Sequence, residues 1–179
     1  MRTFILNKTL GKLRYHDLHG RGIPIVFIHG LGCSSSCDYP QVAFNRALKG
    51  RRMLLVDLLG SGFSDSPKDF GYTVDDHART IVAFIEGLEF KKVTFMGHSM
   101  GGSIAIAAAC SCNSKIGRLV LSEPNLDSGG GTFSRPISLQ NESDYITKGH
   151  AELVQDAYKQ GNDIWAKSLS LSLPVAIHR

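Results

Sequence analysis

The sequence lacks any long hydrophobic run and any leader-like N-terminus. The longest apolar candidate, residues 104–110, is short and rich in alanine, whereas a helix that crosses a bilayer needs about 20 apolar residues. Residues 1–10 contain Arg2, Asn7 and Lys8, and they show neither the apolar stretch nor the cleavage site of a signal peptide. We therefore expect no membrane span, no signal peptide and a cytoplasmic location.

The sequence also has few cysteines and a small net charge. The four cysteines are Cys33, Cys37, Cys110 and Cys112. Neither of these local spacings matches a zinc knuckle, so we expect free, partly buried thiols, with a disulfide or a metal site as the alternative. The net charge is only +4, and the basic pairs at 51–52 and 91–92 flank apolar runs, as at solvated strand ends. This composition predicts no nucleic-acid partner and no metal or cofactor.

What is present is an alternation of apolar runs and helical segments along 179 residues, a length typical of one domain. Strands are predicted at residues 3–6, 12–17, 24–28, 52–57, 92–96 and 118–122. Helices are predicted at residues 40–48, 73–88 and 100–112, with Thr73 as an N-cap. Because continuous apolar runs are typical of strands buried on both faces, this order predicts an α/β fold with a doubly wound, mainly parallel sheet.

A short motif lies where one of these strands meets a helix. Residues 97–102 read Gly-His-Ser-Met-Gly-Gly, which matches G-x-S-x-G, and they follow the run 92–96 as a nucleophile elbow does. Such a sharp turn would strain the backbone of Ser99 and raise its hydroxyl above the sheet, at the positive end of the next helix. Gly97 and Gly101 would let the strand and the helix approach closely.

Four segments together resemble the α/β-hydrolase superfamily, especially its lidded esterases and lipases with a serine nucleophile. They are residues 29–32, 57–64, 97–102 and 122–125. Each segment follows a predicted strand in the order of the family, and the likeness covers roughly residues 10–125.

The resemblance divides the chain into two regions. It implies an α/β-hydrolase core at 1–125 and the start of a helical cap at 126–179, where residues 150–160 and 162–169 look helical. The last strands of the family would then be missing, and we expect a C-terminally truncated relative. An open sheet of this kind exposes an edge, so self-association is a further expectation.

The resemblance also implies roles for single residues. In the family, the residue after the His-Gly pair and the residue after the nucleophile donate backbone N–H groups to the oxyanion, and the matches here are Leu31 and Met100. The structural residues of the motifs are His29, Gly30, Gly97 and Gly101. We expect His29 to hold its loop rather than to act in catalysis.

A serine nucleophile also needs a base and an orienting acid. Glu123 is a candidate acid, because some subfamilies place the acid at this position; the alternative is a carboxylate that lines the pocket or caps a loop. Asp127 is a weaker candidate. The flanking His98 is expected to point away from Ser99.

The catalytic base is the hardest residue to assign, because the family places its histidine late in the chain. After Ser99 the chain contains only His150 and His178. We expect His150 to cap a helix or to be exposed. His178 follows residues 171–177, which alternate like a strand, and it is the remaining candidate for the base.

The resulting hypothesis is a serine hydrolase that acts on small carboxylic esters or related acyl compounds through an acyl-enzyme on Ser99. The alternative is a catalytically impaired fragment, or a ligand-binding relative that lacks the catalytic histidine. In either case the predicted partner is a small acyl molecule.

Overall fold

A computed structural model describes residues 1–127 and 131–179, and its centre is a six-stranded sheet. The strands are β1 (Arg2–Asn7), β2 (Gly11–Leu18), β3 (Arg21–Ile28), β4 (Arg51–Asp57), β5 (Val93–His98) and β6 (Ile116–Ser122). They lie in the order β1-β2-β4-β3-β5-β6. The two pairs that involve β2 are antiparallel and the other three are parallel, which confirms the predicted mainly parallel α/β sheet.

Helices connect and cover these strands. They are α1 (Ser35–Asp38), α2 (Pro40–Ala43), α3 (Val74–Gly87), α4 (Met100–Ser111), α5 (Ser134–Ser138), α6 (Glu142–Asp144), α7 (His150–Lys159), α8 (Asp163–Ser170) and α9 (Pro174–His178). Short 3₁₀ turns span Arg46–Leu48 and Asn113–Lys115, and a π-helical turn spans Tyr145–Gly149. Among the described helices, none is long and apolar enough to cross a membrane.

The central strands are apolar on both faces, and each face packs against helices. Val26 and Ile28 of β3 belong to the buried cluster that α3 and α4 complete, whereas Phe27 belongs to a second cluster with Tyr39 beside α1 and α2. The aromatic ring of Phe84 on α3 packs edge-on against Tyr15 of β2, with ring centroids 5.0 Å apart. The sheet is therefore held from both sides, and β3 lies at its centre.

Helix α3 begins where the sequence predicted. The Thr73 hydroxyl accepts a hydrogen bond from the backbone N–H of Asp76, at 3.1 Å, and the Asp76 carboxylate accepts one from the backbone N–H of Thr73. This reciprocal capping box satisfies two amides that the first helical turn would otherwise leave unpaired. The prediction of Thr73 as N-cap is confirmed.

Two predicted elements are wrong in detail. The helix predicted at 40–48 is interrupted, because the Asn45 side chain accepts a hydrogen bond from the backbone N–H of Ala47 and starts a separate turn. Residues 171–177, which alternate like a strand, contain the start of α9. Pro174 occupies the first turn of that helix, where its fixed φ fits and its missing N–H is not needed.

Residues 131–179 pack as helices over the loops at the carboxyl end of the sheet. The backbone N–H of Leu173 donates to the carbonyl of Gly60 at 2.7 Å, and the Ser168 hydroxyl donates to the Asp38 carboxylate at 2.7 Å. A third apolar cluster includes Tyr145 and Leu169, and Leu31 packs against it. This packing adds a second wall above the end of β5.

At one edge of the sheet, β6 leaves apolar side chains in solvent. Leu119, Val120 and Leu121 are 38%, 44% and 37% exposed. Within the described residues, β6 pairs only with β5, so its outer edge carries backbone N–H and C=O groups without a strand partner. Such an edge is open to pairing with another chain.

Candidate active site

Ser99 lies in a strained turn between β5 and α4. Its backbone adopts φ of 52° and ψ of −124°, a conformation that residues with a side chain rarely adopt. The turn is held by two backbone hydrogen bonds: the N–H of Ser99 donates to the carbonyl of Ser122 at 3.0 Å, and the N–H of Gly102 donates to the carbonyl of Ser99 at 2.8 Å. The geometry is that of the elbow predicted from the motif.

The glycines of the motif stand where a side chain cannot fit. A Cβ on Gly97 would lie 2.4 Å from the carbonyl oxygen of Gly101, and a Cβ on Gly101 would lie 2.2 Å from that of Ile28. A Cβ on Gly30 would lie 3.2 Å from the Cβ of Ser99. The turn is therefore packed directly against the end of β3 and the loop that follows it.

The structure places the two predicted amide donors on this same loop and turn. Leu31 lines the cavity described below, and Met100 is the first residue of α4. Among the described residues, none accepts a hydrogen bond from the backbone N–H of Leu31 or of Met100. Met100 also lies at a helix N-terminus, which carries partial positive charge.

His29 links two loops and does not reach Ser99. Its Nε2 accepts a hydrogen bond from the backbone N–H of Leu58 at 3.0 Å, and its Nδ1 therefore carries the proton that bonds the carbonyl of Gly30 at 2.9 Å. Burial lowers the pKa of His29. The neutral ring therefore links the loop after β3 to the loop after β4.

Asp38 connects the loop after β3 to the helical region. Its carboxylate accepts hydrogen bonds from the backbone N–H of Ser34, at 2.8 Å, and from the Ser168 hydroxyl of α8. All four cysteines are free thiols, and one of them, Cys33, lies beside this carboxylate. Burial and the Asp38 charge raise the pKa of Cys33 to about 12, so this thiol stays protonated.

Glu123 lies in the cavity wall, beside the elbow. Its side chain is 87% exposed, and its Oε2 lies 3.7 Å from Nε2 of His98. Both residues line the cavity with Ser99. No hydrogen bond joins either side chain to the Ser99 hydroxyl among the described residues.

Asn125 is a site residue that the sequence analysis missed. The Ser99 hydroxyl donates to Oδ1 of Asn125 at 3.4 Å, and the backbone N–H of Asn125 lies 3.4 Å from the carbonyl of Ser99. The hydroxyl of Ser103, one turn along α4, donates to the backbone carbonyl of Asn125. The signal was its position three residues after the end of β6, since the carboxyl ends of parallel strands border the ligand site.

The two late histidines lie elsewhere. His150 is buried, with Nδ1 3.2 Å from the hydroxyl of Tyr145, so the expectation that it caps a helix or is exposed is wrong. His178 donates from Nε2 to the carbonyl of Gln140 at 2.9 Å, and its Nδ1 lies 3.8 Å from Glu142. Neither histidine lines the cavity beside Ser99. Within the described residues, the Ser99 hydroxyl has Asn125 as its partner and no histidine.

The cavity between the sheet and the helical region has a volume of about 460 Å³. Its described lining residues are Gly30, Leu31, Cys33, His98, Ser99, Glu123, Asn125, Gly131, Thr132, Phe133, Ser134, Asn162 and Trp165. The rings of Phe133 and Trp165 pack with centroids 5.6 Å apart. In the described part of the chain, no group of three potential metal ligands is present.

The model of the α/β hydrolase fold family matches residues 23–168. The chain belongs to this family. This α/β hydrolase is 36% identical over 110 residues to 2-hydroxymuconate semialdehyde hydrolase of Pseudomonas sp. (strain CF600), covering 59% of the chain and 38% of that protein. It is also 36% identical over 112 residues to haloalkane dehalogenase 2 of Mycobacterium tuberculosis, covering 62% of the chain and 38% of that protein. The matched segment thus spans less than two fifths of these relatives.

Solved structures share the fold of this α/β hydrolase along nearly its whole length. An esterase from Exiguobacterium antarcticum superposes with a TM-score of 0.78 at 24% identity, covering 99% of this chain and 71% of that one. The N-acyl homoserine lactonase AidH gives a TM-score of 0.75 at 18% identity, covering 99% of this chain and 67% of that one. At such identities the likeness shows the fold alone.

Proposed function

We propose that this α/β hydrolase is a serine hydrolase that acts on small carboxylic esters and related acyl compounds. The observation that carries the proposal is the strained conformation of Ser99, with φ of 52°, which places a hydroxyl in the cavity wall beside Leu31. A cavity of about 460 Å³ falls within the usual range for small-molecule sites.

The chemistry would proceed in two halves. Ser99 Oγ attacks the carbonyl carbon as its proton passes to a base, and the carbonyl oxygen becomes an oxyanion that accepts hydrogen bonds from the amides of Leu31 and Met100. The alcohol leaves with a proton and an ester on Ser99 remains, which water then cleaves to the acid and the free hydroxyl. A single amide donor in such a site typically lowers the barrier by about 3 kcal/mol.

A sequence relative supports attack on a carbonyl. The name of 2-hydroxymuconate semialdehyde hydrolase describes hydrolysis of a carbonyl compound. The haloalkane dehalogenase relative is a weaker guide, because dehalogenases of this superfamily use an aspartate at the elbow, where this chain has Ser99. We therefore favour attack on a carbonyl over displacement of a halide.

The residues that serve as catalytic acid and base are also a matter of proposal. Glu123 is the candidate acid, and its contact with His98 at 3.7 Å also fits the alternative of a carboxylate in the cavity wall. Because the described residues bring no histidine to Ser99, a second candidate function is binding of acyl ligands with little turnover. A site that retains only its oxyanion donors and binding contacts still accelerates hydrolysis about 10³–10⁴-fold over water.

Hydrolysis of 4-nitrophenyl acetate by the purified chain tests the proposal. We expect Ser99→Ala to remove the protein-dependent rate, while the matched control Ser111→Ala, on the exposed far end of α4, retains it. Equal rates for Ser99→Ala and the unmodified chain would contradict the hydrolase. If the two rates are equal and acyl ligands still quench the fluorescence of Trp165, the result would favour the binding function.

A further inference from the structure

The described wall of the cavity beside Ser99 contains one carboxylate and neither lysine nor arginine. Among its described lining residues, Glu123 is the only carboxylate, and His98 is the only group that could become a cation. Arg135 follows the lining residue Ser134, but it is exposed and does not belong to the wall. Residues 128–130, outside the described part, are Ser-Gly-Gly and bear no charge. A carboxylate ligand would therefore meet no lysine or arginine among the described lining residues.

The opposite wall is aromatic and apolar. Phe133 and Trp165 pack at an interplanar angle of 58°, and the indole N–H of Trp165 donates to the backbone carbonyl of Leu31 at 3.4 Å. This hydrogen bond fixes the ring next to the loop that carries the proposed oxyanion donor. A flat or branched apolar group can bury its surface there, which favours its binding.

We propose that this site takes uncharged acyl compounds and that Glu123 discriminates against acyl groups ending in a carboxylate. The proposal rests on the proposed function, because it takes the cavity at Ser99 as the substrate site. It also separates this chain from a relative such as 2-hydroxy-6-oxo-2,4-heptadienoate hydrolase, whose named substrate is itself a carboxylate.

The expected size of the discrimination follows from the exposure of Glu123. Since its side chain is 87% exposed, water and salt screen its charge. Two like charges a few ångströms apart in such a setting differ from a neutral pair by roughly fivefold to twentyfold in binding. The effect must shrink at about 1 M salt, where the screening length is about 3 Å.

Binding of two anilides tests the discrimination without requiring turnover, and the absence of released 4-nitroaniline shows that both ligands stay intact. N-(4-nitrophenyl)butanediamide and N-(4-nitrophenyl)succinamate have closely similar shapes and polar ends, but only the second ends in a carboxylate. Their nitrophenyl ring quenches tryptophan fluorescence, and Trp165 is the only tryptophan of the chain. The ratio of the two dissociation constants is the measured quantity.

We expect the unmodified chain to bind the neutral anilide roughly fivefold to twentyfold more tightly, with Glu123→Gln bringing the ratio to within about twofold of one. The matched control is Glu86→Gln, which removes the same charge from an exposed position on α3, outside the cavity lining. It should leave the ratio unchanged, whereas about 1 M salt should lower it in the unmodified chain.

Equal affinity for the two anilides in the unmodified chain, or an unchanged ratio in Glu123→Gln, would overturn the proposal. Tighter binding of the succinamate would overturn it as well. The proposed hydrolase fails by a different result, namely equal hydrolysis by Ser99→Ala, so the two failures can be told apart.

Discussion

The hydroxyl of Ser99 points at the side-chain oxygen of Asn125, 3.4 Å away. The backbone of the same asparagine approaches the carbonyl of Ser99, also at 3.4 Å, and Ser103 holds it from the other side. Asn125 follows β6, whereas Ser99 follows β5, so the contact joins the ends of two neighbouring parallel strands. An amide oxygen is too weak a base to take the proton, but it can fix the direction of the hydroxyl.

Removing this acceptor should slow the reaction of Ser99 without unfolding the protein. A hydrogen bond of this kind contributes about 1 kcal/mol, so Asn125→Leu should lower the rate of labelling by a fluorophosphonate about fivefold. Asn125→Asp keeps an oxygen at the same position and should retain the rate. If Leu and Asp slow labelling equally at unchanged melting temperatures, Asn125 does not position the hydroxyl.

The strained backbone of Ser99 should be visible in stability. A side chain at positive φ typically costs about 1–2 kcal/mol, and glycine avoids most of this cost. We therefore expect Ser99→Gly to raise the free energy of unfolding by about 1 kcal/mol over Ser99→Ala, measured by urea denaturation. Equal stability of the two variants would mean that the turn is not strained.

His77 should make the protein sensitive to acid. It is buried against Phe70, with ring centroids 5.2 Å apart, and its Nδ1 has no hydrogen-bond partner in the described part of the chain. Burial, with a smaller contribution from the nearby His29, lowers the pKa of His77 to about 3 from its ordinary 6.5. Between these values the unfolded chain binds a proton that the folded protein does not, so stability is full above pH 6.5 and falls as the pH falls.

The loss should approach about 1.4 kcal/mol per pH unit for this one group. In His77→Leu, the free energy of unfolding should depend less steeply on pH between about 3 and 6.5. His19→Gln, at an exposed position, should leave this slope unchanged. The pH dependence of the free energy of unfolding that remains in His77→Leu would come in part from His29, because burial also lowers the pKa of His29. An identical slope in both variants would show that His77 is not buried in its neutral form.

The exposed outer edge of β6 should promote self-association. We expect the chain to sediment as larger species at higher concentration, and Val120→Lys to shift it towards the monomer, because a lysine on an edge strand opposes pairing with another strand. Ile5→Lys places the same charge on β1, at the other edge of the sheet, where Ile5 is 68% exposed, and serves as the control. A monomer at all concentrations would contradict this expectation.

The sequence was informative where the physics is local. The N-cap at Thr73, the apolar runs of β3 to β6 and the elbow at Ser99 each depend on a few neighbouring residues, and all are present as predicted. The alternation at 171–177 misled because a helix starts at Pro174, and its apolar residues divide between two clusters, with Ala176 in the first and Ile177 in the third. Alternation over so short a run does not distinguish a strand from a helix.

Other features depend on contacts between distant parts of the chain. The hydrogen bond between Asp38 and Ser168 joins residues 130 positions apart, and the contact of Ser99 with Asn125 depends on the pairing of β5 with β6. Neither has a motif of its own. The burial of His150 arises in the same way, from its contact with Tyr145 inside the helical region.

The most direct test of the account is to locate a covalent label. After reaction with a fluorophosphonate and digestion with trypsin, the peptide of residues 93–115 contains Ser99 together with Ser103, Ser111 and Ser114, and fragmentation distinguishes the four. We expect a single phosphonyl group on Ser99 in the native protein, and none after denaturation in urea or in Ser99→Ala. A native protein that stays unlabelled, or carries the group on another residue, would contradict the claim that the turn at residue 99 presents a reactive nucleophile.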